Sequence, residues 1–405
     1  MKILHWDEMF HPNFGYQINL LAKFQAKQGH EVVIYTAETP ERHPIFKGLC
    51  SGDTEQLDRE YEQTNKVRIV RLPYFKVVSG RVIYQPGYLK KIKSEEPDIL
   101  MVHTNDTLSA MNIAKHARYL NMPMIFDNHM LEMASQNSWR NVFRFYFRKR
   151  ITPIIKRNRW IVIRTQDDDY VNRCLGIPEK LTPFISFGTD TMLFEPNQQI
   201  RDEMRKKYDI SEDAFVVVYT GKLDRAKNGK LLARAFREKI SEKKEVVLIA
   251  VGTAVGEYGK EVEHIFKESK NRILRFPTQP YTELHKFYQA ADLSVFPQQC
   301  SLSFYDAQSC ALPVVSENNK VNVDRVSRGN GYCFQSGSVD SFRETVRRCV
   351  EMDTEAYEAI RENARKNALQ YDYEDVARQY TRVMKYAIRR FEKEKSNGGN
   401  KRKLR

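Results

Sequence analysis

The run D-L-S-V-F-P-Q-Q-C-S-L-S-F-Y-D-A-Q-S-C-A-L-P-V-V, residues 292–315, decides the fold. A short apolar piece, Leu293 to Phe296, stops at Pro297; a polar turn follows, then a helical piece carrying Asp306, and a second apolar piece restarts after Pro313. The order is strand, loop, helix, strand. In an open parallel sheet the loop leaving a strand's carboxyl end points into the ligand crevice, and the helix after it starts with free N–H groups that suit a phosphate. Asp306 falls in that helix, where a carboxylate can accept hydrogen bonds from ribose hydroxyls.

The rest of the chain is consistent with such a sheet repeated. At 405 residues it has room for about two or three domains. With 41% hydrophobic residues it can bury a sizeable core, and the net charge of +14 points to an anionic partner: nucleic acid, a membrane surface or phosphorylated substrates. The six cysteines show no C-x-x-C pair or zinc-finger spacing, which reads as reduced thiols in a cytoplasmic protein. The opening M-K-I-L-H-W-D-E has no apolar leader, and no run approaches the ~18 apolar residues of a spanning helix, so any membrane association is peripheral.

Residues 2–6 read as a strand, 7–14 as a turn-rich loop, 16–27 as a helix stopping near Gly29, and 31–36 as the next strand. Gly15 sits where this loop meets the helix. It serves either close approach to a ligand or only backbone geometry. Two later strands, one from Pro97 and one over residues 123–126, end in polar residues and deliver His103 and His129 to the same edge of the sheet, with Asp127 and Asn128 placed to orient the imidazole or bind an acceptor hydroxyl. Lone histidines are more often structural, but placement at a strand's carboxyl end favours an active-site reading of His129. Residues 137–160 contain eight arginines and lysines and no acid, with Trp139, Phe143, Tyr146, Phe147 and Ile151 near helical spacing. Basic residues interleaved with aromatics suit a membrane interface, and equally a core-packed helix with a wet basic face. No nucleic-acid fold surrounds them. Asp167, Asp168 and Asp169 read as acids near a helix start rather than as metal ligands. In the second half, strands at 215–219, 246–251, 273–276 and 293–296 alternate with helices at 231–238 and 281–290, and two long helical patterns over 356–370 and 373–393 close the chain.

These residues resemble the retaining glycosyltransferases of family four, whose donor-site signature is Glu-x7-Glu followed by Ala-x-x-x-Gly-x-Pro-Val-Val. Asp306-Ala307 stands at the second Glu-Ala and Ala311-Leu312-Pro313-Val314-Val315 at the Gly-x-Pro-Val-Val. Gln298 stands where the first glutamate belongs, and Gln298, Cys300 and Ser301 compete for its role. The resemblance implies an α/β protein of the GT-B fold, two facing Rossmann-like domains with a cleft between them. The expected parts are an acceptor-side domain over 1–184, a nucleotide-sugar domain over 185–373, a returning helix over 374–395 and a disordered basic tail over 396–405. It implies that Gly221, Lys222 and Lys227 cradle the donor diphosphate, the lysines stabilising charge on the departing phosphate without a metal. Thr278 is expected beside the base, Ser301 and Ser303 beside the phosphates, Gly15 beside the donor, and His129 at the sugar or acceptor, with His103, Asp127 and Asn128 toward the acceptor. No cofactor is expected. The implied activity is transfer from a nucleotide diphosphate sugar, UDP-linked by preference, to a saccharide acceptor that is lipid-linked in one version. The place is the cytoplasm, with peripheral attachment to the inner face of the cell membrane through an anionic surface. A different class, a non-catalytic partner subunit, is favoured only by the missing first glutamate.

Overall fold

Runs of aliphatic and β-branched residues make the central strands, as expected where both faces of a parallel sheet are covered. A computed structural model of the chain describes residues 1–38, 53–132, 138–298 and 302–403, with side chains as far as residue 397. It forms two compact units: Met1–Pro12, Tyr16–Phe187 and Tyr373–Arg405 make one, Asn13–Gly15 and Gly188–Asp372 the other.

The first unit contains β1 (Lys2–Trp6), β2 (Glu31–Ala37), β3 (Val67–Leu72), the antiparallel hairpin β4 (Tyr74–Val78) and β5 (Arg81–Tyr84), β6 (Ile99–Val102), β7 (Met124–Asn128) and β8 (Val162–Arg164). Apart from the hairpin these form one parallel sheet in the order β3-β2-β1-β6-β7-β8. The second unit repeats the plan with β9 (Phe215–Thr220), β10 (Val246–Val251), β11 (Arg272–Phe276), β12 (Leu293–Phe296), β13 (Val314–Glu317) and β14 (Gly331–Phe334), ordered β11-β10-β9-β12-β13-β14. Both orders reverse direction once, between β1 and β6 and between β9 and β12. Loops at the carboxyl ends of those two pairs diverge and leave a crevice.

Polar residues at the amino ends pin the frames. Asp292, which opens the deciding stretch, accepts from Arg201 at 2.6 Å, from Arg205 at 2.8 Å and from the Val216 amide at 2.7 Å, tying the helix Gln198–Lys207 to β9 and β12. The final helix, Tyr373–Lys403, lies in the first unit and packs on the helix Gln17–Lys27: Tyr373 stacks on Phe24, and the hydroxyl of buried Tyr380 takes the Gln17 amide. Its backbone stays helical to Lys403, beyond residue 395 where the composition suggests disorder. Extending a formed helix costs no new nucleus, and lysines suit its negative end.

The basic stretch becomes two helices, Arg140–Arg150 and Thr152–Asn158, the second starting with Pro153 in its first turn. Its buried side is the 143, 147, 151 stripe: Phe147 and Ile151 are in the core and Phe143 packs on Phe147. Arg144 faces Glu132 and the Tyr170 ring, and Arg148 donates to the carbonyl oxygens of Cys174 and Arg173. Trp139, Val142 and Phe145 are instead 73%, 60% and 64% exposed. Phe143 and Phe147 therefore belong to the inward stripe, and the outward apolar residues are Trp139, Val142 and Phe145. Asp168 accepts from the Tyr170 amide at 2.6 Å and Asp169 pairs with Arg173, so these acids brace the π-helical turn Tyr170–Cys174.

In the second unit the backbones after β9 and β10 touch. Gly252 has φ +148°, and a Cβ there would stand 1.8 Å from the Gly221 carbonyl oxygen. Gly252→Ala is expected to cost about 3 kcal/mol or more, from the backbone conformation and the clash together. Urea unfolding measures it; a loss below about 1 kcal/mol would mean that this contact relaxes easily.

Candidate active site

In the first unit the carboxyl ends of β6 and β7 bring three imidazoles together. His5 lies within β1, His103 follows β6 and His129 follows β7; the His5 and His103 rings stack at 5.2 Å and the His103 and His129 rings at 6.4 Å. Hydrogen bonds fix the protons. The Gln25 Oε1 atom, 2.8 Å from His5 Nε2, only accepts, so His5 carries its proton on Nε2 and offers Nδ1 to His103 Nε2 at 2.9 Å. His103 then donates from Nε2, and from Nδ1 to Asp127 Oδ2 at 2.8 Å. This pattern of donors and acceptors favours an imidazolium beside a carboxylate. Burial, then the neighbouring His103 charge, pushes His5 down to about 3. Burial opposes the charge on His103, but Asp127 outweighs it and raises the pKa above its ordinary value. Burial likewise opposes ionisation of Asp127, yet the charges of His129 and His103 hold it far below the carboxylate range.

The other Asp127 oxygen receives the Thr104 amide at 2.9 Å and lies 3.2 Å from His129 Nε2, while His129 Nδ1 meets Thr165 Oγ1 at 2.8 Å. His129 is the outward end of this chain, its side chain 27% exposed. His103, Asp127 and Asn128 are buried, and Asn128 spends its amide on Asn105 Oδ1 and the Met130 amide. Their polar atoms hydrogen-bond one another and neighbouring residues inside the unit. His103, Asp127 and His129 also offer ligand atoms within 4.8 Å of one another, a possible metal set. The same atoms now bond each other, and a metal would have to take the proton that His103 gives Asp127.

In the second unit the loop after β9 carries Gly221, Lys222 and Lys227. Gly221 has φ +149°; its amide donates to Val251 O, and Leu223 donates to Thr253 O, so the loops after β9 and β10 run side by side. Lys222 lends its carbonyl to the Tyr219 hydroxyl at 2.7 Å. The Asp224 carboxylate accepts the Lys227 amide at 2.9 Å, and Asn228 in the left-handed region opens the helix Gly229–Ala235. Both lysines are half-buried at the reversal point of the strand order. Thr278, half-buried after β11, is tied to Thr253 twice: their hydroxyls meet at 2.8 Å, and the Thr278 amide donates to Thr253 Oγ1 at 3.4 Å.

On the β12 side Asp306 lies buried in the helix Ser303–Ser309. Its Oδ1 accepts from Thr189 at 2.6 Å and from Tyr281 at 3.1 Å. Burial pushes its carboxyl up to about 7. The Tyr281 ring packs against Gly15, where a Cβ would stand 2.0 Å from the ring, so the absence of a side chain at Gly15 serves this aromatic contact. Ser303 bonds the Tyr288 hydroxyl, which reaches Thr220 at 2.5 Å; Leu302 occupies the cap position, so Ser303 is a brace between β9 and this helix rather than its cap. Gln298 is half-buried at the carboxyl end of β12, while Cys300 and Ser301 lie outside the described residues. His5, Gln25, Thr165, Thr189 and Tyr281 escaped the sequence reading. Only His5, a polar residue inside an otherwise apolar strand, carries a signal that points to it.

Comparison with known proteins gives the same two halves. The family described as Glycosyltransferase Family 4 matches residues 15–192, and Glycosyl transferases group 1 matches residues 200–367. A D-inositol 3-phosphate glycosyltransferase of Catenulispora acidiphila is 24% identical over 385 residues, 90% of this chain and 88% of its own. A lipopolysaccharide 1,2-N-acetylglucosaminetransferase of Salmonella typhimurium is 26% identical over 223 residues, 52% of this chain and 58% of its own. Among solved structures, Anabaena Alr3699/HepE in complex with UDP-glucose superposes with a TM-score of 0.72 at 19% identity, covering 95% of this chain and 100% of that one; the likeness is one of fold.

The position of Asp306 has a measurable cost. Its carboxyl is raised from its ordinary 3.8 to about 7, so between those values the folded chain holds a proton that the unfolded chain releases. Stability from this group therefore falls as pH rises through that window and is flat above it. Asp306→Asn keeps an acceptor for Thr189 and Tyr281 but cannot ionise. It is expected to gain on the wild type by up to about 1.4 kcal/mol per pH unit across the window. Urea unfolding at about pH 4.5, 6 and 8 checks this; an offset that does not change with pH would contradict it.

Proposed function

This chain belongs to the family-four glycosyltransferases, and from that premise we propose that it moves a sugar from a UDP-linked donor, with retention at the anomeric carbon, to a hydroxyl of a lipid-linked saccharide. The carrying observation is the pairing of Lys222 and Lys227 on the loop after β9 with Asp306 after β12, at the one place where the strand order of the second unit reverses. Cleaving a sugar–diphosphate bond leaves growing negative charge on the departing phosphate, and two fixed cations in a half-buried loop meet it without reorganisation. In our reading the sugar's C1–O bond to phosphate breaks as the acceptor oxygen attacks from the same face. The acceptor's proton passes to the departing diphosphate. Asp306 accepts the ribose hydroxyls, an interaction that favours its ionised form. His129, held by Asp127 and Thr165, hydrogen-bonds the sugar or acceptor by giving up its longer 3.2 Å contact with Asp127. No metal enters this reading.

A membrane-borne acceptor is supported by the surface of the helix Arg140–Arg150. Trp139, Val142 and Phe145 stand out from it among exposed Arg140, Lys149 and Arg150. Apolar insertion plus several basic residues, each contributing about 1 kcal/mol near an anionic leaflet, is enough to hold a peripheral protein. Gln298 in place of the family's first glutamate favours a second reading, a partner subunit that has lost chemistry and recruits an active enzyme.

Lys227→Ala tests the first reading. The variant is expected to lower turnover about 100-fold at saturating donor with little effect on folding, the scale of removing one preorganised charge-stabilising group. Steady-state kinetics that follow nucleoside diphosphate release measure it; near-wild-type turnover would remove the lysine pair from the mechanism.

A further inference from the structure

The first unit has a second concavity, of about 510 Å³, at the amino ends of β7 and β8 and so at the opposite end of that sheet from His129. Its size falls within the ~300–1,000 Å³ of small-ligand sites. Five cations, Lys115, Arg118, Arg157, Arg390 and Lys395, line it against the single acid Glu394. Arg118 and Arg157 make no ion pair with a described acid. Arg390 donates one guanidinium N–H to Asn158 O at 3.1 Å, but its Nε is buried without a hydrogen-bond acceptor, and Glu394 stands 3.8 Å away, beyond hydrogen-bonding distance. Trp160 and Phe391 add an apolar wall, so the lining suits an anion attached to something greasy.

We propose that this cavity binds the phosphate headgroup of an anionic phospholipid, with phosphate oxygens among Arg118, Arg157 and Arg390 and the glycerol portion against Trp160 and Phe391. The source is a lipid because the cavity adjoins the exposed aromatic helix. The helix Thr152–Asn158, which contributes Ile154 and Arg157 to the cavity, follows directly on Arg140–Arg150. Lys115 on the cavity wall donates to the Tyr146 hydroxyl of that helix at 2.5 Å and stands over its ring at 5.2 Å. The proposal rests on the membrane reading above: the outward aromatics enter the leaflet, and the cavity holds one headgroup at its surface.

The test titrates phosphatidic acid with two six-carbon chains, kept below its micelle concentration, into the full chain by calorimetry. Wild type is expected to bind it, and Arg118→Glu with Arg157→Glu to weaken binding by about 30-fold or more while leaving UDP affinity unchanged. Trp139→Ala with Phe145→Ala is expected to keep this soluble-lipid affinity and to lose flotation with phosphatidylglycerol vesicles. Inorganic phosphate forms the second arm: binding as tight as that of the lipid would overturn the lipid assignment in favour of a free anion. No binding by the wild type, or equal binding by the double arginine variant, would overturn the site. Flotation equal in wild type and the aromatic variant would overturn the docking helix alone, the calorimetric loss still deciding the cavity.

Discussion

The contact between Gly221 and Gly252 governs the second unit. The Gly252 backbone lies against the Gly221 carbonyl, and amide bonds from Gly221 to Val251 and from Leu223 to Thr253 tie the loops after β9 and β10 together. No side chain fits at Gly252, and both glycines hold φ near +150°. Thr253 then meets Thr278, so a third loop joins the pair. The segment carrying Lys222 and Lys227 is therefore a braced ledge, and charges fixed in this way act on a substrate without first having to be ordered.

The first unit uses the same topological position differently. Beside the reversal between β1 and β6 it keeps a buried ion pair, His103 with Asp127, and spends that pair on His129. Burying both charges is expensive, and the pair persists because each lone pair and proton is matched: Gln25 and His5 on one side, Thr104 and His129 on the other. Removing either partner would strand a charge, at a cost of about 3–5 kcal/mol. Such an arrangement fixes the plane and proton positions of His129 more firmly than a single hydrogen bond to a loop would.

Much of this was readable in the chain. The strands Lys2–Trp6, Val246–Val251 and Leu293–Phe296 follow the apolar runs to the residue, because buried parallel strands are continuous apolar segments bounded by turn residues. Lys222, Lys227 and Asp306 stand out by their match to the family's donor-site motifs, the lysines between a buried strand and the helix after it. What stayed hidden depends on long-range packing. That Tyr281 braces Asp306 and covers Gly15 follows from loops far apart in sequence. Asn128 reads as an acceptor contact because it ends a strand, and Thr278 as a base contact through the resemblance, whereas neighbouring loops engage their side-chain polar atoms. The basic helix has aromatic residues on both sides, so helical spacing alone cannot tell its core stripe from its outward one.

The proposal that the second unit activates a nucleotide-sugar with fixed cations is tested most directly by following nucleoside diphosphate release from a panel of nucleotide-sugars, with saccharide acceptors supplied and EDTA present or absent. Release from at least one UDP-sugar at a rate that EDTA leaves unchanged is the predicted result. Release that stops in EDTA and returns with a divalent cation, or no release from any donor in the panel, would contradict it.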